Sequence, residues 1–190
     1  QHGIDILGMQ GGEDGPLTVC AFAPGAQAVE VLDSRSGDPV AALPRLHDAG
    51  FFGGAVGGRR QRFGYRLRLI GADAVREIED PYRFPPVLGD LDVHLMVEGT
   101  HRSLYRKLGA HLVSVDGVDG VSFAVWAPNA APVSVVGDFN FWDGRCHPMR
   151  KRHESGVWEL FIPGVARGTI YKYEVIDREG RLLPLKADPF

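Results

Sequence analysis

The sequence repeats itself once, and in order. Leu17-Thr-Val-Cys-Ala-Phe-Ala-Pro24 reads like Val121-Ser-Phe-Ala-Val-Trp-Ala-Pro128, with Pro24 and Pro128 standing 104 residues apart. Downstream, Val29-Glu-Val31 answers Val133-Ser-Val135, Gly50-Phe51 answers Gly156-Val157, and Gly64-Tyr65-Arg66 answers Ile170-Tyr171-Lys172. The last landmark, Asp80-Pro81-Tyr82 against Asp188-Pro189-Phe190, lies at an offset of 108, so only small loop insertions separate the copies. Landmarks kept in one order at a nearly constant offset imply two copies of one fold.

Within each copy the apolar residues recur with period two. Val121, Phe123 and Val125 face one way, Ser122, Ala124 and Trp126 the other, which is the pattern of a strand. Short runs of this kind, broken by Gly, Pro, Asn and Asp, predict an all-β chain of two tandem immunoglobulin-like β-sandwich modules of about seven antiparallel strands each. Leu91, Leu95 and Met96 between the copies recur at helical spacing, with Asp90 placed to cap the start and Gly99 to end it. The expected domains are 1–87, with the first repeat incomplete at its start, a short helical linker at 88–112, and a second sandwich at 113–190.

At 190 residues, 44% hydrophobic and 24% charged, the chain has apolar material for two small cores. A formal charge of −3 gives no general attraction to nucleic acid or to an anionic membrane. Its longest apolar runs, such as Val157 to Ile162, are strand-sized and fall far short of the ~18 residues that span a bilayer. The opening Gln-His-Gly-Ile has neither an initiating Met nor a secretion pattern, so a missing natural start and a cytoplasmic location are expected. Cys20 and Cys146 lack partners at metal-ligand spacing and read as reduced packing residues.

The segment Gly137-Asp-Phe-Asn-Phe-Trp-Asp-Gly144 follows Trp126-Ala-Pro-Asn129 and precedes His147-Pro-Met149, Glu154 to Gly164 and Tyr171-Lys-Tyr-Glu174. Together with Leu108-Gly-Ala-His111, these residues resemble the starch- and glycogen-binding module that precedes the catalytic barrel in bacterial glycogen branching enzymes and in isoamylases. The resemblance covers roughly residues 100 to 190. The first copy resembles, more weakly, the extra N-terminal module of longer branching enzymes.

Such enzymes cleave an α-1,4-glucan and rejoin it as an α-1,6 branch, using an Asp nucleophile and a Glu acid/base in a barrel of the α-amylase kind. Nothing in the chain supplies that barrel, so the resemblance implies no catalytic residue and no cofactor. The partners it implies are α-glucan, as glycogen or maltooligosaccharides, and the catalytic barrel of the same chain. It places a sugar-stacking indole at Trp142, with Asn140 and Lys172 as hydroxyl partners. The plainer reading is that Trp142 caps its own sandwich or packs on the barrel. A second tryptophan found after the Tyr-Lys-Tyr strand in dedicated glycogen-binding relatives is absent from Asp177-Arg-Glu-Gly-Arg-Leu182.

Trp126 and Phe22 hold equivalent places and are expected in a core or module boundary, whereas Trp158 is left open between exposure and packing. Leu32-Asp-Ser-Arg-Ser-Gly37 replaces the tryptophan loop in the first copy, which predicts a spacer or docking role there. Arg59 to Arg62, with Arg66 and Arg68, read as a solvated face, because Tyr65, Leu67 and Leu69 alternate with the arginines. Gly53-Gly-Ala-Val-Gly-Gly58 reads as a hairpin loop, and no Gly-Lys-Ser/Thr follows it. The seven histidines show no metal-ligand pairing, and His147 and His153 read as surface loop residues. Competing readings are purely structural docking modules, or the same modules on a debranching-type or trehalose-releasing hydrolase.

Overall fold

The computed structural model describes residues 6–13, 15–152 and 155–190; His153 therefore lies outside the described residues. The chain divides after Arg83 into two compact units, each described by itself.

In the first unit, eight strands run β1 (Gly8–Gln10), β2 (Thr18–Phe22), β3 (Ala28–Asp33), β4 (Pro39–Leu43), β5 (Arg45–His47), β6 (Phe51–Ala55), β7 (Tyr65–Ile70) and β8 (Val75–Glu79). They make two four-stranded antiparallel sheets, ordered β1-β2-β6-β5 and β4-β3-β7-β8. Leu17 and the inward residues Val19, Val31, Phe52, Tyr65 and Leu67 meet in one core cluster, as the period-two pattern requires. On the other face, Arg68 pairs with Glu30 and Glu77, and Arg66 with Glu77. Arg59 pairs with Asp33 at 2.6 Å and lies over the Phe63 ring, so this basic run is matched by the unit's own acids.

Gly53 and Gly54 belong to strand β6 and not to a hairpin loop, which corrects the expectation for that segment. The physical reason is close approach: a Cβ on Gly53 would sit 2.8 Å from the Cys20 sulfur, and one on Gly54 2.9 Å from the Pro44 ring. The turn itself is confined to Gly57 and Gly58.

The second unit contains β9 (Gly109–Val115), β10 (Val118–Trp126), β11 (Ala130–Gly137), β12 (Arg150–Lys151), β13 (Val157–Pro163) and β14 (Tyr171–Asp177). One sheet is ordered β12-β13-β10-β9; the other is the pair β11-β14, again antiparallel. Phe123 on β10 reaches across the sandwich to the Tyr171 ring at 4.8 Å. Both units are immunoglobulin-like β-sandwiches.

The repeat has a physical content in hydrogen bonds. β2 pairs β6 as β10 pairs β13, and β3 pairs β7 as β11 pairs β14. Ala23 N donates to Gly50 O, and Ala127 N to Gly156 O, both at 2.8 Å. Gly50 and Gly156 each have positive φ and would place a Cβ 2.7 Å from Pro24 and Pro128 respectively, so this turn needs glycine twice. The Asp-Pro landmark closes each copy: the Tyr65 hydroxyl donates to Asp80 at 2.5 Å, and Tyr171 and Tyr173 both donate to Asp188.

Helix α1 (Asp90–Val97) packs within the second unit. Val93 is its buried residue and clusters with Leu88, Leu108, Ala124 and Val157, whereas Leu91 points into solvent, unlike the expected stripe. Asp90 does not cap the helix; Gly89 occupies the N-cap, and Asp90 pairs with Arg152 at 2.5 Å instead. Gly99 ends the helix in the left-handed region, as expected. Among the described residues no helix is long and apolar enough to cross a membrane.

Strand β13 is buried on both faces. Trp158 is packed, with its indole N–H donating to Ala127 O at 3.0 Å. Trp126, expected in a core or boundary, is 59% exposed. It ends β10 two positions past Ala124, where the cover given by the helix cluster stops. Phe22 is half-buried and packs on Phe51 at 4.9 Å.

Candidate functional site

Strand β11 ends at Gly137, and the segment 138–149 folds back over the outer face of the β11-β14 pair, with Ser134 bridging to Pro148. Its first turn is a 3₁₀ turn, Asp138–Asn140. Phe141 and Trp142 follow with φ of 55° and 59°, two of four non-glycine residues with positive φ among the described residues. Aromatic side chains resist this region, each at a cost on the order of 1–3 kcal/mol.

Several hydrogen bonds hold the turn against that strain. Trp142 N donates to Gly137 O at 3.0 Å, Asp143 N donates to Asn140 O at 3.1 Å, and the Trp142 indole N–H donates to Asp138 Oδ1 at 2.8 Å. Asn140 is the internal bolt: its Oδ1 accepts from Gly137 N at 2.9 Å and its Nδ2 donates to Val135 O at 2.8 Å. Those two backbone partners fix which end of the amide is which. Nδ2 also contacts His147 Nδ1 at 2.8 Å, so His147 accepts there and carries its proton on Nε2.

His147 is largely buried and not a surface loop residue, which corrects the expectation. Phe139 packs on its ring at 5.5 Å, and burial lowers its pKa to about 4. Asn140 is 3% exposed, so its amide is committed to the loop, whereas Trp142 is 37% exposed and Phe141 85%. Lys172 is exposed on β14, opposite Val136 and one residue from the Gly137–Tyr171 pair where the loop departs. Lys172 thus stands one register position from the point where the loop leaves β11, and Asn140 is buried within that loop.

Under the far end of the loop lies Glu174. A Cβ on Gly144 would fall 2.0 Å from its carboxylate, so any larger residue there would require the Glu174 side chain to move. Desolvation, with the nearby Asp143 charge, raises the Glu174 pKa. Asp143 itself is held low by hydrogen bonds from Arg145. Burial pushes the Cys146 thiol up to about 11, which leaves it a protonated packing group at neutral pH. Both cysteines are free. Among the described residues no group of His, Cys, Asp and Glu is arranged to hold a metal ion.

A groove of about 410 Å³ lies elsewhere in the unit, between β9 and the turn at 165–169, with Leu112, Phe123 and Tyr171 in its lining. Its lining also includes His111, Arg167 and Thr169. The loop at Phe141 and Trp142 offers exposed aromatic surface, which suits the apolar face of a neutral polar ligand. In the first unit the equivalent turn is short, closed by Arg35 N donating to Asp33 Oδ1 at 2.8 Å, and it carries no aromatic.

Two features were hidden from sequence reasoning. Phe141 lies inside the Gly137–Gly144 segment but reads as an ordinary apolar neighbour until its backbone angle turns it outward. Glu159, to which the sequence assigns no role, is buried and ion-paired with Arg152, and its carboxylate accepts from Val87 N and Leu88 N at 2.9 and 3.0 Å.

Two family models match the chain: alpha-1,4-glucan branching enzyme GlgB, N-terminal domain, over residues 3–82, and carbohydrate-binding module 48 (isoamylase N-terminal domain) over residues 107–190. A 1,4-alpha-glucan branching enzyme GlgB of Cereibacter sphaeroides is 55% identical over 97% of this chain and 25% of its own length. One of Rubrobacter xylanophilus is 56% identical over 94% of this chain and 24% of its own. The chain thus spans about a quarter of the length of the curated relatives it matches. A solved structure of PulA from Klebsiella pneumoniae aligns over 97% of the chain and 20% of its own at a TM-score of 0.37 and 16% identity, too distant to bear on the site. The chain accordingly belongs to the N-terminal part of the 1,4-alpha-glucan branching enzymes, its first sandwich being their N-terminal domain and its second a carbohydrate-binding module 48.

Proposed function

We propose that this chain is the non-catalytic N-terminal region of an enzyme that cleaves α-1,4-glucan and rejoins it as α-1,6 branches, and that its second module holds glucan weakly at the Trp142 corner. The catalytic residues belong to a barrel outside these residues, which is also the modules' partner within the same cytoplasmic protein. The observation that carries the reading is the indole of Trp142, fixed by its N–H to Asp138 on a loop that leaves β11 one register position from the exposed Lys172. A pinned ring presents one apolar face for the C–H face of a glucose, and Lys172 supplies a donor for its hydroxyls. Asn140 supports the loop from below.

One aromatic contact supplies about 1–2 kcal/mol, whereas a millimolar complex already needs about 4 kcal/mol. Binding to the isolated chain is therefore weak, and its use lies in repeated contact along one polymer, which raises the local concentration of donor chain. Calorimetric titration with maltoheptaose and with glycogen tests this, comparing the chain with Trp142→Ala. Saturable millimolar binding lost in the variant is expected.

A second reading, spacer and docking modules without sugar contact, is favoured by the indole N–H being already used inside the loop. Absence of binding by the folded chain selects it.

A further inference from the structure

We infer that Phe141, not Trp142 alone, is the ring that meets the glucan; this rests on the proposed sugar contact and names its principal residue. Phe141 is 85% exposed, far more than its neighbour, and sits on a loop in which Asn140, Asp138 and the Trp142 indole are all hydrogen-bonded. Its backbone is left-handed, a conformation that glycine or asparagine adopts without difficulty and phenylalanine does not.

A loop that only had to close would place a small residue there, because an outward phenylalanine gains nothing from folding. Phe141 and Trp142 both break the local backbone rule, but the Trp142 indole N–H is bonded inside the turn, whereas the Phe141 ring is left outward, and a strained, outward ring marks function rather than packing. Asn140 below and Trp142 beside it hold the turn, so the phenyl ring stands on a preorganised base. A flat, rigid ring with few rotamers to lose is suited to stacking on a sugar, and its lack of any polar atom leaves hydroxyl recognition to Lys172.

Titration of the whole chain with maltoheptaose separates the possibilities, using Phe141→Gly, Phe141→Tyr and Trp142→Ala. Phe141→Gly is expected to melt at or above the temperature of the parent chain, since it relieves the left-handed strain, yet to weaken binding about tenfold, the loss of one stacked ring. Phe141→Tyr restores binding to within about twofold. Binding by Phe141→Gly within twofold of the parent, with loss confined to Trp142→Ala, overturns the assignment while leaving the sugar site in place. No binding by the parent chain overturns both. A Phe141→Gly variant that melts well below the parent assigns the ring a packing role and overturns the inference as well.

Discussion

His147 shows how one side chain sets a pH limit on the candidate site. Its Nδ1 faces the Asn140 amide N–H, its ring packs on Phe139, and burial holds its pKa near 4, below the ordinary histidine value of about 6.5. The folded chain therefore keeps it neutral where the unfolded chain protonates it, so the unfolded state binds the extra proton between those two values. Stability is undiminished above pH 6.5, falls as pH drops toward 4, and is flat in this group's contribution below that. Over that window the loss amounts to roughly 2–3 kcal/mol. Urea unfolding across pH 4 to 7 checks it, with His147→Gln expected to flatten the slope; an unchanged slope sinks the assignment. The residue-level pattern in the sequence shows a histidine before Pro148 and no more. Its burial follows only from the segment folding back over β11.

At the scale of elements, Arg152 and Glu159 fasten the chain that enters the second sandwich. Glu159 takes Arg152 and two backbone N–H groups at Val87 and Leu88, and Arg152 also donates to Leu88 O at 2.7 Å. Asp90 adds little, since its side chain is mostly in water. Removing one partner of a buried pair leaves the other charge without compensation, so Glu159→Ala is expected to cost about 3–5 kcal/mol in denaturant unfolding. Replacing both, as Arg152→Met with Glu159→Leu, should cost less than the two single losses added together, because the uncompensated charge disappears while the Val87 and Leu88 N–H groups still lose their acceptor. A double-variant loss equal to that sum would show that the pair does not act as a unit. The strand itself was plain in the sequence as Val157 to Ile162. Its second buried face was not, since alternation alone cannot say that helix α1 and the segment before it cover the side that normally meets water.

For the whole molecule, the two copies share a scaffold and differ at the loop that bears the proposed glucan contact. Expressed separately, residues 84–190 should fold by circular dichroism and retain the maltoheptaose binding of the full chain, and residues 1–83 should show none. The reason is that the turn at Asp33 to Gly37 closes through its own carboxylate and presents no ring. Binding seen only in the intact chain would mean that both units contribute to the contact.

The repeat and the strand pattern were legible in the residue order, because alternation and glycine-proline turns act over short distances and the Asp-Pro landmarks recur. The location of Trp142 within a turn was legible as well. Only the tertiary structure decided that Asn140 is buried beneath that turn, that Trp126 is exposed, that Asp90 serves an arginine and not a helix end, and that Phe141 points outward. Each of these depends on what a distant segment covers, and on the sign of a backbone angle, neither of which is carried by local sequence.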